Sequence, residues 1–249
     1  VTMPEGAGES GYTLEVLGDA KTVATRAAQW LLSLALGTEG AFALALAGGE
    51  TPRPLYEQFA APPFRDEFPW ARAHIFWGDE RFVAHDDPRS NYRSARETFL
   101  ARVPIPVQNI HPVDTRAEDA EAAAQAYQRE LLAFHGVALL TAARPLFDVT
   151  LLGLGEDGHM ASLFPGDAAL CERQSWTAAT KDPTGLARIT LTYPAIESSR
   201  RVAFLITGAE KSAVLARLLS GDRTLPAAHL RPVGELFLFV DADAAQALG

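Results

Sequence analysis

Six short apolar runs punctuate the chain, at residues 12–17, 42–47, 74–78, 147–153, 202–207 and 236–240. Their length suits β-strands, and several are apolar at almost every position instead of every second one. Such strands offer no face to water and need a layer of helices on each side. The segments between them, 21–36, 51–59, 92–102, 117–134, 210–219 and 242–248, carry helical composition and periodicity. Segment 117–134 is the clearest, alanine-rich with its charges spread around an apolar stripe. Strands alternating with helices predict an α/β fold: a doubly wound, mostly parallel sheet with helices on both faces, in a modified Rossmann-like arrangement. Breaks rich in proline and glycine at 61–63, 104–106, 183–185 and 221–226 read as surface loops, none long and polar enough to be a linker. Residues 12–249 are therefore expected to form one domain behind a flexible lead-in at residues 1–11.

Composition agrees with a self-sufficient globular protein, since 249 residues with 48% hydrophobic content can bury a substantial core. The formal net charge of -9 disfavours general attraction to nucleic acid or anionic lipid. An anionic ligand would have to be held by a local group of cations and amides. The single cysteine, Cys171, excludes an intramolecular disulfide and a multi-thiolate metal centre. No apolar run approaches the roughly 20 residues that cross a bilayer. Residues 1–11 lack the basic start and apolar centre of a secretory signal, so a cytoplasmic location is expected. Val1 is not an initiator methionine, and a removed or processed start is expected ahead of it.

Ligands of open α/β sheets sit outside the carboxyl ends of the strands, which gives weight to four loops. After 42–47, Gly48-Gly49-Glu50-Thr51-Pro52 bares backbone amides at a helix start, a setting suited to phosphate. After 74–78, Asp79-Glu80-Arg81 places three charges together. Alone they read as a solvated turn; beside the other loops Arg81 becomes a candidate anion ligand, its guanidinium fork matching phosphate or carboxylate oxygens. After 147–153, the glycines at 153, 155 and 158 permit a sharp turn, and Asp157 stands two residues before His159. An imidazole titrating near neutrality with a carboxylate partner is a candidate general base. After 202–207, Lys211 falls in the first turn of the next helix, where a cation opposes the helix dipole and favours an anionic ligand at the same end. Arg188, opening Ile189-Thr190-Leu191-Thr192, is a further candidate cation with less support from spacing.

Several familiar motifs are excluded. Gly153-Leu154-Gly155-Glu156-Asp157-Gly158 fits a dinucleotide-binding fingerprint, with Glu172 downstream, but two carboxylates would sit where a pyrophosphate is cradled. Pro165-Gly166 would also interrupt the helix that should follow. No G-x-S-x-G nucleophile elbow, Walker A loop or H-E-x-x-H occurs. His85-Asp86-Asp87 lies in a polar loop without paired histidines and is read as solvent-exposed rather than metal-binding.

Five blocks in order resemble the signatures of the glucosamine-6-phosphate isomerase/6-phosphogluconolactonase superfamily: Gly48 to Pro52, Trp77 to Arg81 with Ser90-Asn91, Leu152 to Gly166, Arg188 to Thr192 and Thr207 to Lys211. Amino-sugar isomerases of that superfamily usually carry Asn-Glu-Pro after the histidine. Here Ser162-Leu163-Phe164-Pro165 has no glutamate and is similar to the lactonase branch. Glu50 departs from the small serine common in lactonases, so its carboxylate must point away from a bound phosphate. The resemblance implies hydrolysis of 6-phospho-D-glucono-1,5-lactone to 6-phosphogluconate in the oxidative pentose phosphate pathway, without metal or organic cofactor. It implies phosphate binding by Gly48, Gly49, Thr51, Arg188 and Lys211, and leaves Arg81 open between phosphate and developing oxyanion. His159 is expected as general base and later general acid, with Asp157 orienting it and Asp79 as a secondary catalytic candidate. An isomerase/deaminase acting on glucosamine 6-phosphate is the alternative, and a non-catalytic sugar-phosphate sensor another. The latter needs a DNA-binding module for which the residues before Tyr12 leave no room. The expected partner is thus a phosphorylated sugar lactone, with no nucleic acid and no membrane; the oligomeric state is left open, a monomer being compatible with the sequence.

Overall fold

The computed structural model describes residues 11–248, so the expected lead-in lies, apart from Gly11, outside the described residues. The strands are β1 (Tyr12–Leu17), β2 (Phe42–Leu46), β3 (Ala73–Trp77), β4 (Asp79–Arg81), β5 (Phe147–Leu152), β6 (Thr177–Lys181), β7 (Ala187–Leu191), β8 (Ser199–Ile206) and β9 (Glu235–Asp241). The helices are α1 (Ala20–Gly37), α2 (Arg53–Phe59), α3 (Phe64–Glu67), α4 (Asn91–Thr98), α5 (Ala120–His135), α6 (Tyr193–Glu197) and α7 (Ser212–Leu219). All six apolar runs become strands of one sheet in the order β1-β9-β8-β5-β2-β3, each neighbouring pair parallel. Period-two geometry splits each strand between two cores. Phe42, Leu44 and Leu46 of β2 point to one side with Val149, Leu151, Ala203, Leu205 and Phe239, where α1, α2, α3 and α4 cover them. Ala43 and Ala45 point to the other with Phe147, Leu152, Val202, Phe204 and Ile206, under α5, α6 and α7. The sheet is therefore covered by helices on both faces.

The long helices begin where their caps place them. Asp19 accepts the Thr22 N–H at the start of α1, and Asp119 the Ala122 N–H at the start of α5. Gly136, at φ +80°, ends α5 in the left-handed conformation that favours glycine.

Three expected helices differ. Segment 92–102 breaks at Phe99, after which Leu100–Arg102 forms a 3₁₀ turn. Phe99 is fully buried against Tyr56, Phe59 and Trp70, and that packing overrides helical continuity. Segment 210–219 opens as a 3₁₀ turn, Ala209–Lys211, before α7. Segment 242–248 is a turn ending in the 3₁₀ piece Gln246–Leu248. There the Asp241 carboxylate accepts the Ala244 N–H and Ser212 Oγ accepts the Ala247 N–H, so side chains take backbone donors that a continuous helix would use itself.

A second sheet, β4-β7-β6, is antiparallel and was not expected from the apolar pattern. Its register puts Arg81 opposite Arg188 and Asp79 opposite Thr190. The backbone continues from the end of β3 through Gly78 into β4, so this small sheet stands at the carboxyl end of the large one.

Candidate active site

The loops after β8, β5, β2 and β3 leave four strands that are adjacent in the sheet, so they meet at one rim. A cleft of about 410 Å³ opens there. It is lined by Gly48, Gly49, Thr51, Asp79, Arg81, His159, Arg188 and Lys211, every expected site residue except Asp157. Asp157 stands behind His159.

The turn after β5 is closed by backbone bonds from Gly155 N–H to the His159 carbonyl and from Gly158 N–H to the Gly155 carbonyl, both 2.9 Å. Gly158 adopts φ +81°, and a Cβ on Gly155 would collide with the His159 ring. One oxygen of Asp157 accepts both the His159 backbone N–H at 3.0 Å and its ring Nδ1–H at 2.6 Å. Since a carboxylate only accepts, Nδ1 carries a proton, and it is Nε2 that holds the lone pair whenever the ring is neutral. Phe164 packs on the imidazole, with ring centres 4.7 Å apart. Held at its Nδ1 edge and by Phe164, the ring presents an Nε2 that has no partner among the described residues. Burial alone would raise the Asp157 carboxyl; the two bonds from His159 outweigh it and hold the group below its ordinary 3.8. Next along the cleft wall, Ala161 holds a left-handed backbone, φ +49°, which a non-glycine residue adopts at a cost.

The three charges after β3 are not a solvated turn. Asp79 is 7% and Glu80 1% exposed. Asp79 accepts the Ser162 hydroxyl at 2.7 Å and the Asn91 amide at 3.3 Å, and lies 3.8 Å from Arg188 Nη1. Glu80 accepts four donors: the backbone N–H groups of Arg81, Asn91 and Tyr92 and the Ser90 hydroxyl. Burial pushes its carboxyl up, opposed by those amides. Glu80 thus ties the start of α4 to β4, and Asn91 at that start packs under Gly48, where a Cβ would strike its amide. Arg81 donates through Nη1 to the Arg89 carbonyl, while its buried Nε has no partner among the described residues.

Arg188 projects from β7 and is clamped by Asp182, Nη2 to Oδ2 at 2.7 Å. Burial would raise the Asp182 carboxyl, but hydrogen bonds from Thr184, Arg188 and Leu186 hold it well below the usual carboxylate range. Lys211 ends the 3₁₀ turn after Gly208 and enters the cleft with no ion-pair partner among the described residues. The Gly208 turn is anchored by its N–H, which bonds both Asp241 oxygens at 3.1 Å. On the β2 loop, Tyr56 donates its hydroxyl to the Ala47 carbonyl at 2.6 Å, and Gly49 adopts φ +87°. The Glu50 side chain is 87% exposed and faces Arg53 at 3.7 Å, and it does not line the cleft, an orientation compatible with a phosphate bound on this loop.

Sequence reasoning missed Asp182 and Thr184, which line the cleft from a loop read only as a surface break. Their one local signal is the turn-forming string Asp182-Pro183-Thr184-Gly185. His85 donates its Nε2–H to the Val113 carbonyl at 2.8 Å, and Asp87 pairs with Arg89. Among the described residues no group of three His, Cys, Asp or Glu side chains is arranged to hold a metal ion.

The sequence profile of the glucosamine-6-phosphate isomerases/6-phosphogluconolactonase family matches residues 18–238. A 6-phosphogluconolactonase of Synechocystis sp. is 42% identical over 221 residues, covering 87% of this chain and 89% of that protein. Its counterpart in Nostoc sp. is 41% identical over 239 residues, covering 93% and 96%. The crystal structure of 6-phosphogluconolactonase from Thermotoga maritima superposes with a TM-score of 0.79 at 32% identity, covering 93% of this chain and all of that one.

Proposed function

Because the chain belongs to the glucosamine-6-phosphate isomerase/6-phosphogluconolactonase family, we propose that it hydrolyses 6-phospho-D-glucono-1,5-lactone to 6-phospho-D-gluconate, a step of the oxidative pentose phosphate pathway. The observation that carries this reading is the sharing of one cleft by an imidazole and a lysine, the Nε2 of the first and the ammonium of the second having no partner among the described residues. The lysine, Arg188 and the loop amides of Gly48 and Gly49, with Thr51, hold the phosphate. The lactone carbonyl then lies toward His159.

His159 Nε2 takes a proton from water as the oxygen attacks the carbonyl carbon, and Asp157 stabilises the resulting imidazolium through Nδ1–H. The carbonyl electrons become a tetrahedral oxyanion, for which Arg81 is the cation on the β4 side of the cleft. Collapse of that intermediate breaks the bond from carbon to ring oxygen, and the imidazolium returns its proton to the leaving oxygen. No covalent enzyme intermediate is needed, since a lactone is already open to water. Asp79, whose oxygens are engaged by Ser162 and Asn91, acts by positioning Arg188 and not as a base.

The test follows acid release from freshly made 6-phosphogluconolactone with and without the protein, corrected for spontaneous opening. Acid release no faster than the spontaneous rate would sink the reading; ammonia release from glucosamine 6-phosphate would replace it with the isomerase alternative. Phe164 packs on the catalytic imidazole without offering a carboxylate, which favours the lactonase. No helix among the described residues is long and apolar enough to cross a membrane, and a cytoplasmic site of action belongs to the same proposal.

A further inference from the structure

The turn joining β6 to β7 is built around one carboxylate whose two oxygens have separate partners. Asp182 Oδ1 accepts the Thr184 N–H at 2.9 Å, the Thr184 hydroxyl at 2.6 Å and the Leu186 N–H at 3.0 Å, which folds the turn. Asp182 Oδ2 accepts Arg188 Nε at 3.2 Å and Nη2 at 2.7 Å. The remaining nitrogen, Nη1, is left on the side of Asp79, 3.8 Å from its Oδ2. Asp182 and Arg188 both line the cleft.

An anion beside a site for anionic substrate lowers the attraction that site can offer, so a carboxylate here needs a compensating role. A free arginine side chain samples many rotamers, and fixing one before the ligand arrives removes an ordering cost from binding. We propose that Asp182 is a positioning residue: by gripping the Nε and Nη2 edge of Arg188 it aims the Nη1 edge at the phosphate of the bound sugar. This rests on the lactonase reading for the identity of the substrate, and on geometry alone for the coupling of Asp182 to Arg188. The division of labour between the two oxygens gives the proposal a clean variant. Asp182→Asn keeps an oxygen for the turn while turning an amide NH₂ toward the guanidinium, where donor faces donor.

The experiment compares wild type, Asp182→Asn, Arg188→Gln and the double variant. Lactone hydrolysis should show Asp182→Asn raising KM about tenfold with a smaller change in kcat, and the double variant losing no more than Arg188→Gln alone. Protection against thermal unfolding by inorganic phosphate, a readout independent of turnover, should fall in Asp182→Asn to the level of Arg188→Gln. Without ligand, Asp182→Asn should melt no lower than Arg188→Gln, since both lose the same ion pair and the asparagine keeps an oxygen for the turn. Losses that add in the double variant, or an Asp182→Asn chain with wild-type KM and wild-type phosphate protection, overturn the proposal. So does a large ligand-free drop in melting temperature that accounts for the lost activity, because Asp182 would then serve the turn alone. A wild-type chain that is protected by phosphate yet opens no lactone overturns the lactonase reading, and the protection data then decide the role of Asp182. A wild-type chain that phosphate fails to protect overturns the anion role of Arg188 on which it depends.

Discussion

Asp157 and His159 stand two positions apart, and that short interval lets one carboxylate oxygen accept both the backbone N–H and the ring Nδ1–H of His159. Replacing His159 by alanine removes the acceptor for the water proton and should cut kcat at least roughly a hundredfold with little change in KM. Steady-state kinetics check this, and unaltered turnover removes His159 from the mechanism. Lys211→Ala should mainly raise KM for phosphorylated lactone, by about tenfold. An equal loss on unphosphorylated gluconolactone would count against its phosphate role. The Asp157 carboxyl is depressed in the folded chain, so its stabilising contribution is present above the ordinary 3.8 and is lost as pH falls through the depressed value. The gap in melting temperature between wild type and Asp157→Asn should therefore be constant above about pH 5 and close in acid. A gap that persists at pH values below the depressed one would assign the loss to packing. The Asp157–His159 pair was legible because both partners lie in one turn. The bond from Ser162 to Asp79 was not, because it spans 83 residues of sequence.

Elements were legible where burial is uniform and illegible where charge is buried. All six strands of the main sheet follow from apolar runs, whereas β4 consists of Asp79, Glu80 and Arg81 and carries no apolar signal. β6 and β7 are short and mix threonine with basic residues, so neither alternation nor a continuous run marks them. Glu80 joins these levels, since its carboxylate gathers four donors at the start of α4. Glu80→Gln puts an NH₂ where two of those donors point, and should lower unfolding stability by about 1–3 kcal/mol. Denaturant unfolding measures it; an unchanged midpoint would mean the donors find other partners. The rise in KM expected alongside follows from Asn91 and Arg81, both of which Glu80 holds.

At the scale of the molecule, the two cores lie back to back across one sheet and share its strands, so neither can unfold while the other remains intact. We expect a single domain in residues 12–249 on this ground. Trp30, Trp70 and Trp77 belong to one core and Trp176 to the other. Tryptophan fluorescence from Trp176 alone, with the other three replaced by phenylalanine, should trace the same denaturant transition as far-UV circular dichroism on that variant. Two separated transitions would argue for two units. A parallel sheet also fixes where a site forms, because every strand of it points its carboxyl end to the same rim. The sequence by itself determined the parallel sheet, its helical layers and the Asp157–His159 turn, since each follows from burial or geometry within a few consecutive residues. Only the tertiary structure decided that Asp182 clamps Arg188, that Asp79 and Glu80 are buried hubs and that Glu50 faces away. Those outcomes depend on which distant donors reach a carboxylate once the chain has closed, and local pattern carries no record of that.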